Sequence, residues 1–261
     1  MCGIAQLGNE IFVSSDSSPS IAVFVFQGQQ NFVRQKDIGF KQLTTPPQDI
    51  ATSADFQQLF VADLGGECIW QLQWLSRGEF VVEGQAVSKV KPVSLSMNAS
   101  RLLVVEKRRL IIFLTSEKER KPIKLPENLE AEHALETPCA TYIVCGQRVA
   151  KPDGVKKPSI MEVNRQGGPI RECDPQYLGL PCYLSAFSDV EGDLLVVDCQ
   201  NQRILVLSSL LKVVRVFLDV VQPRRIVKSG HFLVGCVRSS NHRGVVSLYW
   251  PQKSMLQTLP D

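Results

Sequence analysis

Residues able to do chemistry are few here, and they do not assemble into a reactive set. The three histidines, His133, His231 and His242, fall in no ligand motif. Gly-x-Ser-x-Gly, the phosphate-cradling Gly-x-x-x-x-Gly-Lys-Ser/Thr and His-Glu-x-x-His are missing. Eight cysteines (Cys2, Cys68, Cys139, Cys145, Cys173, Cys182, Cys199 and Cys236) form no Cys-x-x-Cys pair and no zinc-finger spacing. Cys145 and Cys236 close apolar runs, where cysteine serves as a small buried hydrophobe. Reduced thiols and a cytosolic setting are therefore expected. Asp189, Glu191 and Asp193 alternate like calcium ligands but lack the rest of such a loop and read as a solvated turn. No nucleophile, base or metal set emerges, so the expectation is a non-catalytic domain with no cofactor.

Cations offer a different chemistry. The net charge of +3 is too small to choose a partner, so only its distribution can. Basic residues gather in Lys107-Arg108-Arg109, at Arg148, Lys151, Lys156 and Lys157, and at Arg203, Arg224, Arg225, Arg238 and Arg243. Several of these facing one anionic polymer would release counterions and bind in a salt-dependent way. Arginine would also grip phosphate bidentately or stack on unpaired bases. The candidate partners are RNA or an acidic protein surface. Acids share the same region: Glu127, Glu130, Glu132 and Glu136 bring its overall charge near neutral.

These residues must be positioned by a repeat. Pro47, Pro92, Pro138, Pro181 and Pro223 are each followed three residues later by an apolar or β-branched residue, at spacings of 45, 46, 43 and 42. Each proline leads into an apolar run such as Leu59-Phe60-Val61-Ala62 or Leu194-Leu195-Val196-Val197, and then into a more alternating strand such as Ile204-Leu205-Val206-Leu207. About 44 residues and four short strands per unit match a propeller blade. A sandwich or barrel has no reason to repeat such a unit. The expected fold is all-β, a single six-bladed β-propeller domain over 1–261. Its four-stranded antiparallel blades are placed near 1–43, 44–88, 89–134, 135–178, 179–220 and 221–261. The apolar second strand suits an interior covered on both faces, and the alternating third strand a half-exposed position.

Between second and third strands lie turns near 14–20, 63–68, 106–109, 146–158, 198–203 and 236–243, which carry most of the cations. The fourth of these is swollen. No window has a convincing 3.6-residue period, although Glu127 to Glu136 is open to reading as a short helix or a polar loop. Ser254 to Leu259 reads as the sixth blade's own last strand. No apolar stretch approaches the ~20 residues that span a bilayer, and the start lacks a signal-peptide pattern, so no membrane association is expected. Asn98-Ala99-Ser100 reads as a polar turn.

The fifth unit, Leu195-Val196-Val197-Asp198-Cys199-Gln200-Asn201-Gln202-Arg203-Ile204, resembles the NHL repeat, and the second, Leu59-Phe60-Val61-Ala62-Asp63 through Trp70, is similar to it. The third replaces the acid with Glu106; the first, fourth and sixth are degenerate. The resemblance implies that Asp63, Asp198, Asn201 and Arg203 knit their turns. It also implies a C-terminal domain like that of tripartite-motif (TRIM) ubiquitin ligases of the antiviral type, where such domains choose ubiquitination substrates or bind RNA. A monomeric cytoplasmic recognition module is expected on that basis, without the ligase's RING, B-box or coiled coil. A purely protein-binding propeller is the alternative. A calcium-dependent propeller hydrolase, using Glu10, Asp63, Glu106, Asp198 and Asn201, is the remaining one.

Overall fold

The structure is a computed structural model and describes residues 3–14, 17–26, 32–76, 79–150, 153–186, 193–217, 223–229, 232–238, 243–249 and 257–258. Apart from one short 3-10 turn at Pro175–Tyr177, its regular elements are all strands. The first antiparallel blade is β1 (Ile4–Leu7), β2 (Glu10–Ser14), β3 (Ile21–Phe26) and β4 (Phe32–Ile38). The second is β5 (Asp49–Ser53), β6 (Gln58–Asp63), β7 (Cys68–Ser76) and β8 (Glu79–Ser88). The third comprises β9 (Ser94–Asn98), β10 (Arg101–Glu106), β11 (Arg109–Leu114) and β12 (Glu119–Lys124). The fourth is β13 (Leu129–Glu136), β14 (Tyr142–Val149), β15 (Lys156–Val163) and β16 (Pro169–Glu172). The fifth holds β17 (Pro181–Ala186), β18 (Leu194–Asp198), β19 (Arg203–Leu207) and β20 (Val213–Phe217).

Six four-stranded blades are expected from the spacing; among the described residues there are five. Beyond them, β21 (Pro223–Ser229), β22 (Phe232–Arg238) and β23 (Arg243–Tyr249) make a sheet of only three strands. The strand expected to complete it, β24 (Gln257–Thr258), pairs instead with the outer edge of β20, through Arg215↔Thr258 and Val216↔Gln257. The free edge of β20 offers unpaired amides and carbonyls, and a short C-terminal strand satisfies them there. Ser254 to Leu256 and Leu259 lie outside the described residues.

Proline does mark where an innermost strand begins. β17 and β21 start on Pro181 and Pro223, and Pro47 and Pro92 stand just before β5 and β9. Proline fixes its own φ and forces its predecessor to be extended, which suits the link between blades. Pro138 departs from this: it sits in the turn after β13, so the fourth unit starts earlier than its spacing suggests, after Pro126. The Glu127 to Glu136 stretch is therefore neither helix nor loop but mostly strand β13. Leu129, Ala131, His133 and Ala134 are buried along it while Glu130 and Glu132 are only partly so.

Second strands are buried on both faces, as expected: β18 is buried at every residue, and β6 and β10 at all but the first. The half-exposed alternation expected of the third strands holds in β3 and from Gln71 to Trp74 of β7, and a fourth strand shares it. β8 alternates exposed and half-buried residues along most of its length, whereas β19 is buried after Arg203. Burying a Val, Leu or Ile from each second strand contributes roughly 1.5–3 kcal/mol per side chain.

The chain divides into two compact units, one of residues 1–106 and 110–122, the other of 107–109 and 123–261. Within the first, one apolar layer joins the first two blades, with Phe12 edge-on to Trp74 at 4.8 Å, and another joins the second and third around Phe60 and Phe113. Asp49 ties those inner strands, accepting from the Leu95 amide at 2.9 Å, and Thr52 donates to the Gln6 carbonyl at 2.6 Å. Within the second unit, layers join β14 to β17–β19 and β17–β19 to β21. There His133 Nδ1 accepts from the Leu184 amide at 3.4 Å, and Arg225 donates to the Cys182 carbonyl at 3.0 Å. Each such link spans about one repeat of sequence. Among the described residues no helix is long and apolar enough to cross a membrane.

Candidate functional site

Two turns are built around a fully buried carboxylate. Asp198 closes β18, and its oxygens accept from the Gly179 and Leu180 amides at 3.1 and 2.8 Å, from Asn201 Nδ2 at 2.9 Å and from Arg203 Nε at 2.9 Å. Asp63 stands 135 residues earlier in the equivalent place. It accepts from Thr45 Oγ1 at 2.7 Å, the Gly66 amide at 3.0 Å and Trp70 Nε1 at 3.1 Å. Both turns need one left-handed residue, Glu67 (φ 48°) in one and Gln202 (φ 51°) in the other. Each carboxylate thus fastens its own hairpin turn to the chain arriving from the preceding blade. Glu106 accepts the Lys91 amide at 2.7 Å in the third blade. With their oxygens aimed at these donors, the three acids are committed to structure. Among the described residues no group of three or more His, Cys, Asp or Glu side chains has metal-ligand geometry. Asp189 and Glu191 lie outside the described residues.

The cations divide into three situations. Lys107, Arg108 and Arg109 are exposed in and beside the β10–β11 turn, which the backbone ties to β13 through the Lys107 carbonyl and the Ala131 amide at 2.8 Å. Lys156 approaches from β15 and pairs with Glu130 at 2.9 Å. That hydrogen bond, followed by the charges of Lys156, Lys107 and Arg108, holds the Glu130 carboxyl below the usual range. Beside it, Glu132 is pushed up by burial, against the pull of Arg225 and Lys107. Glu132 faces that way because the strand slips register between Ala131 and His133. Lys107, Arg108, Lys156 and Arg225 thus surround two carboxylates.

A second group lies at the end of the β14–β15 hairpin. Here the expected swollen loop is shorter, because both strands run on and pair Arg148 with Lys157 and Val149 with Lys156. Arg148 binds Glu172 at 3.0 Å, while its buried Nε has no hydrogen-bond partner. It lines a cleft of about 200 Å³ with Lys157, Asn128, Pro158, Glu172 and Pro175. The third group is occupied internally. Arg203 is held by Asp198 and the Tyr177 carbonyl, and Arg225 is 2% exposed, its guanidinium 4.5 Å above the Tyr183 ring. Arg225 is thus a core residue and is unavailable to a partner. Arg224 beside it is half-buried. Lys151 lies outside the described residues, as do the side chains of Arg238 and Arg243.

No family model and no curated protein sequence matches the chain. Solved structures do. The nidogen/laminin complex structure is similar over 93% of this chain and 90% of its own, at 14% identity and a TM-score of 0.72. The WD40 β-propeller domain of Doa1 matches over 99% and 82%, at 10% identity and 0.62. Streptogramin B lyase matches over 97% and 83%, at 12% identity and 0.61. The fold is a β-propeller. At these identities the likeness carries the fold alone.

Sequence reading missed one grouping in this propeller. Cys182 and Cys199, expected only to be reduced thiols, lie together at one end of the β17–β18 pair in the fifth blade. The signal was present. Pro181 pairs with Asp198 across β17 and β18, so the residue after each is brought close once those strands are recognised as neighbours.

Proposed function

We propose that this propeller is a non-catalytic recognition module that binds an acidic protein segment through the exposed cations of its second unit. The observation that carries the reading is the convergence of Lys107, Arg108 and Lys156 on Glu130. The neighbouring cleft adds Lys157 and an Arg148 Nε without a partner. An incoming carboxylate would take up the exposed cations, leaving the internal acids where they are. Cations interleaved with Glu130, Glu132 and Glu172 suit a partner of mixed charge better than a uniform phosphate backbone, where each fixed acid opposes binding. The turns of the second and fifth blades add their likeness to NHL propellers. In a tripartite-motif ubiquitin ligase such a module would select the substrate.

A poly-glutamate peptide and a single-stranded RNA of equal charge, titrated at two salt concentrations, distinguish the partners. The peptide should bind, weaken with added salt, and weaken at least ~10-fold when Lys107 and Arg108 are both changed to Ala. RNA bound more tightly than peptide would reassign the partner. Binding by neither, or binding indifferent to the substitutions, would remove the proposed site.

A further inference from the structure

The fifth blade brings two thiols together at its inner edge. Cys182 lies within the register shift between Pro181 and Tyr183 on β17, and Cys199 is the first residue beyond β18. The Cys199 amide donates to the Leu180 carbonyl at 3.1 Å, which continues the ladder one step past the strand and keeps Cys199 next to the start of β17. Its thiol donates to the same carbonyl at 3.2 Å. The Cys182 thiol lies 3.6 Å from the Arg224 carbonyl on β21. Both thiols thus sit at the same end of the β17–β18 pair, and both side chains are half-buried, so neither is sealed from solvent.

We propose that Cys182 and Cys199 form a reversible disulfide when the protein meets a peroxide. Their surroundings divide the work. The hydrogen bond from Cys182 lowers the Cys199 thiol below its ordinary range, with help from the Arg224 charge and against burial and Asp198. The same bond and then burial push Cys182 up. Cys199 is the attacking sulfur and Cys182 the resolving one, since the thiolate is the nucleophile.

In the first step the Cys199 thiolate attacks one oxygen of hydrogen peroxide. An S–O bond forms, the O–O bond breaks, and the departing hydroxide takes a proton to become water. In the second, the Cys182 sulfur attacks the sulfenic sulfur. The S–S bond forms, the S–O bond breaks, and the oxygen leaves as water with the Cys182 proton. Two thiols and one peroxide give one disulfide and two waters; the sulfur pair loses the two electrons that the peroxide gains.

Cys68, Cys139, Cys145 and Cys173 lack this arrangement. Burial pushes Cys68 and Cys173 up to about 11 and Cys145 higher still. Cys139 is exposed and serves as an internal comparison.

The test oxidises the full chain with hydrogen peroxide, blocks remaining thiols under denaturing conditions and maps peptides by mass spectrometry. The expected product is one internal cross-link joining Cys182 to Cys199, formed ~10-fold faster than Cys139 is modified and reversed by dithiothreitol. In Cys182→Ser the sulfenic acid should persist on Cys199 and be trapped by dimedone. The wild-type measurement stands without the variant. Dimedone capture at Cys199 of the wild type with no cross-link would overturn the proposal, as would modification of Cys139 ahead of the pair.

Discussion

At the scale of single residues, the same ion-pair chemistry carries very different weights in this molecule. Asp198 is fully buried, and both a guanidinium and two backbone amides depend on it. Removing one member of such a pair strands the other's polarity in a dry site, so Asp198→Ala should destabilise by roughly 3–5 kcal/mol, read as a lowered urea midpoint at unchanged m-value. The Arg148–Glu172 pair is about a third exposed, and breaking it through Glu172→Gln should cost no more than about 1 kcal/mol. Glu130 and Glu132 make opposite predictions with pH. Glu132, held above the ordinary carboxylate value, binds its proton more readily folded than unfolded, so its contribution weakens as pH rises through that window. Glu130, held below, stabilises above the ordinary value and loses that stabilisation as pH falls through its own. Replacing Glu132 with Gln should therefore raise stability at neutral pH and steepen the remaining acid-side loss. A stability-against-pH curve unchanged by the substitution would contradict this. The knitted turn was legible only through the repeat that Asp198, Asn201 and Arg203 resemble. Arg225 was not. It follows Arg224 directly, and only strand register places one in the core and leaves the other half-exposed.

At the scale of elements, β13 shows where sequence patterns fade. Its alternation is real, yet it is written in Ala and Glu, which favour strands weakly, and a register slip interrupts it before His133. Gly146 makes that slip possible. A Cβ there would lie 2.1 Å from the Glu130 carbonyl oxygen, so β14 approaches β13 more closely than any side chain permits. Gly146→Val should push the strands apart and cost roughly 1–3 kcal/mol through overpacking. It should also open Glu132 to solvent, and because burial is what raises its carboxyl, the pH dependence assigned to Glu132 should shrink in the same variant. Two linked readouts make the geometric claim testable, since a merely loosened hairpin would lose stability but keep the titration. The second strands were legible for the opposite reason. Runs such as Leu194–Val197 have one physical use, a strand covered on both faces. The third strands were legible in part: Gln71 and Gln73 alternate with buried Leu72 and Trp74 along β7, whereas the polar residue of β19 only marks its end.

At the scale of the molecule, the repeat was readable because each blade needs a similar number of residues to go out and return. The number of complete blades was not, because spacing counts segments of chain and says nothing about which edge a strand will join. Residues 223–249 have the length for a blade and supply three strands, while Gln257–Thr258 find their partners on β20. Within each unit the packing energy passes between consecutive blades, each apolar layer being shared by two neighbours. Phe60 is fully buried in the layer between the second and third blades, with Ala51, Leu95 and Leu102. Truncating it to Ala removes a large apolar volume and should cost about 3–5 kcal/mol. If stability is handed from layer to layer, that loss should appear first as faster amide exchange in β5, β6, β9 and β10. The amides of Val196 and Leu205, in the layer shared by the fourth and fifth blades, should keep their protection at mild denaturant. Native-state hydrogen exchange on the variant measures both at once. Equal acceleration at Val196 and in β6 would mean that the blades open together, and that the layers are coupled more tightly than neighbour-to-neighbour packing provides.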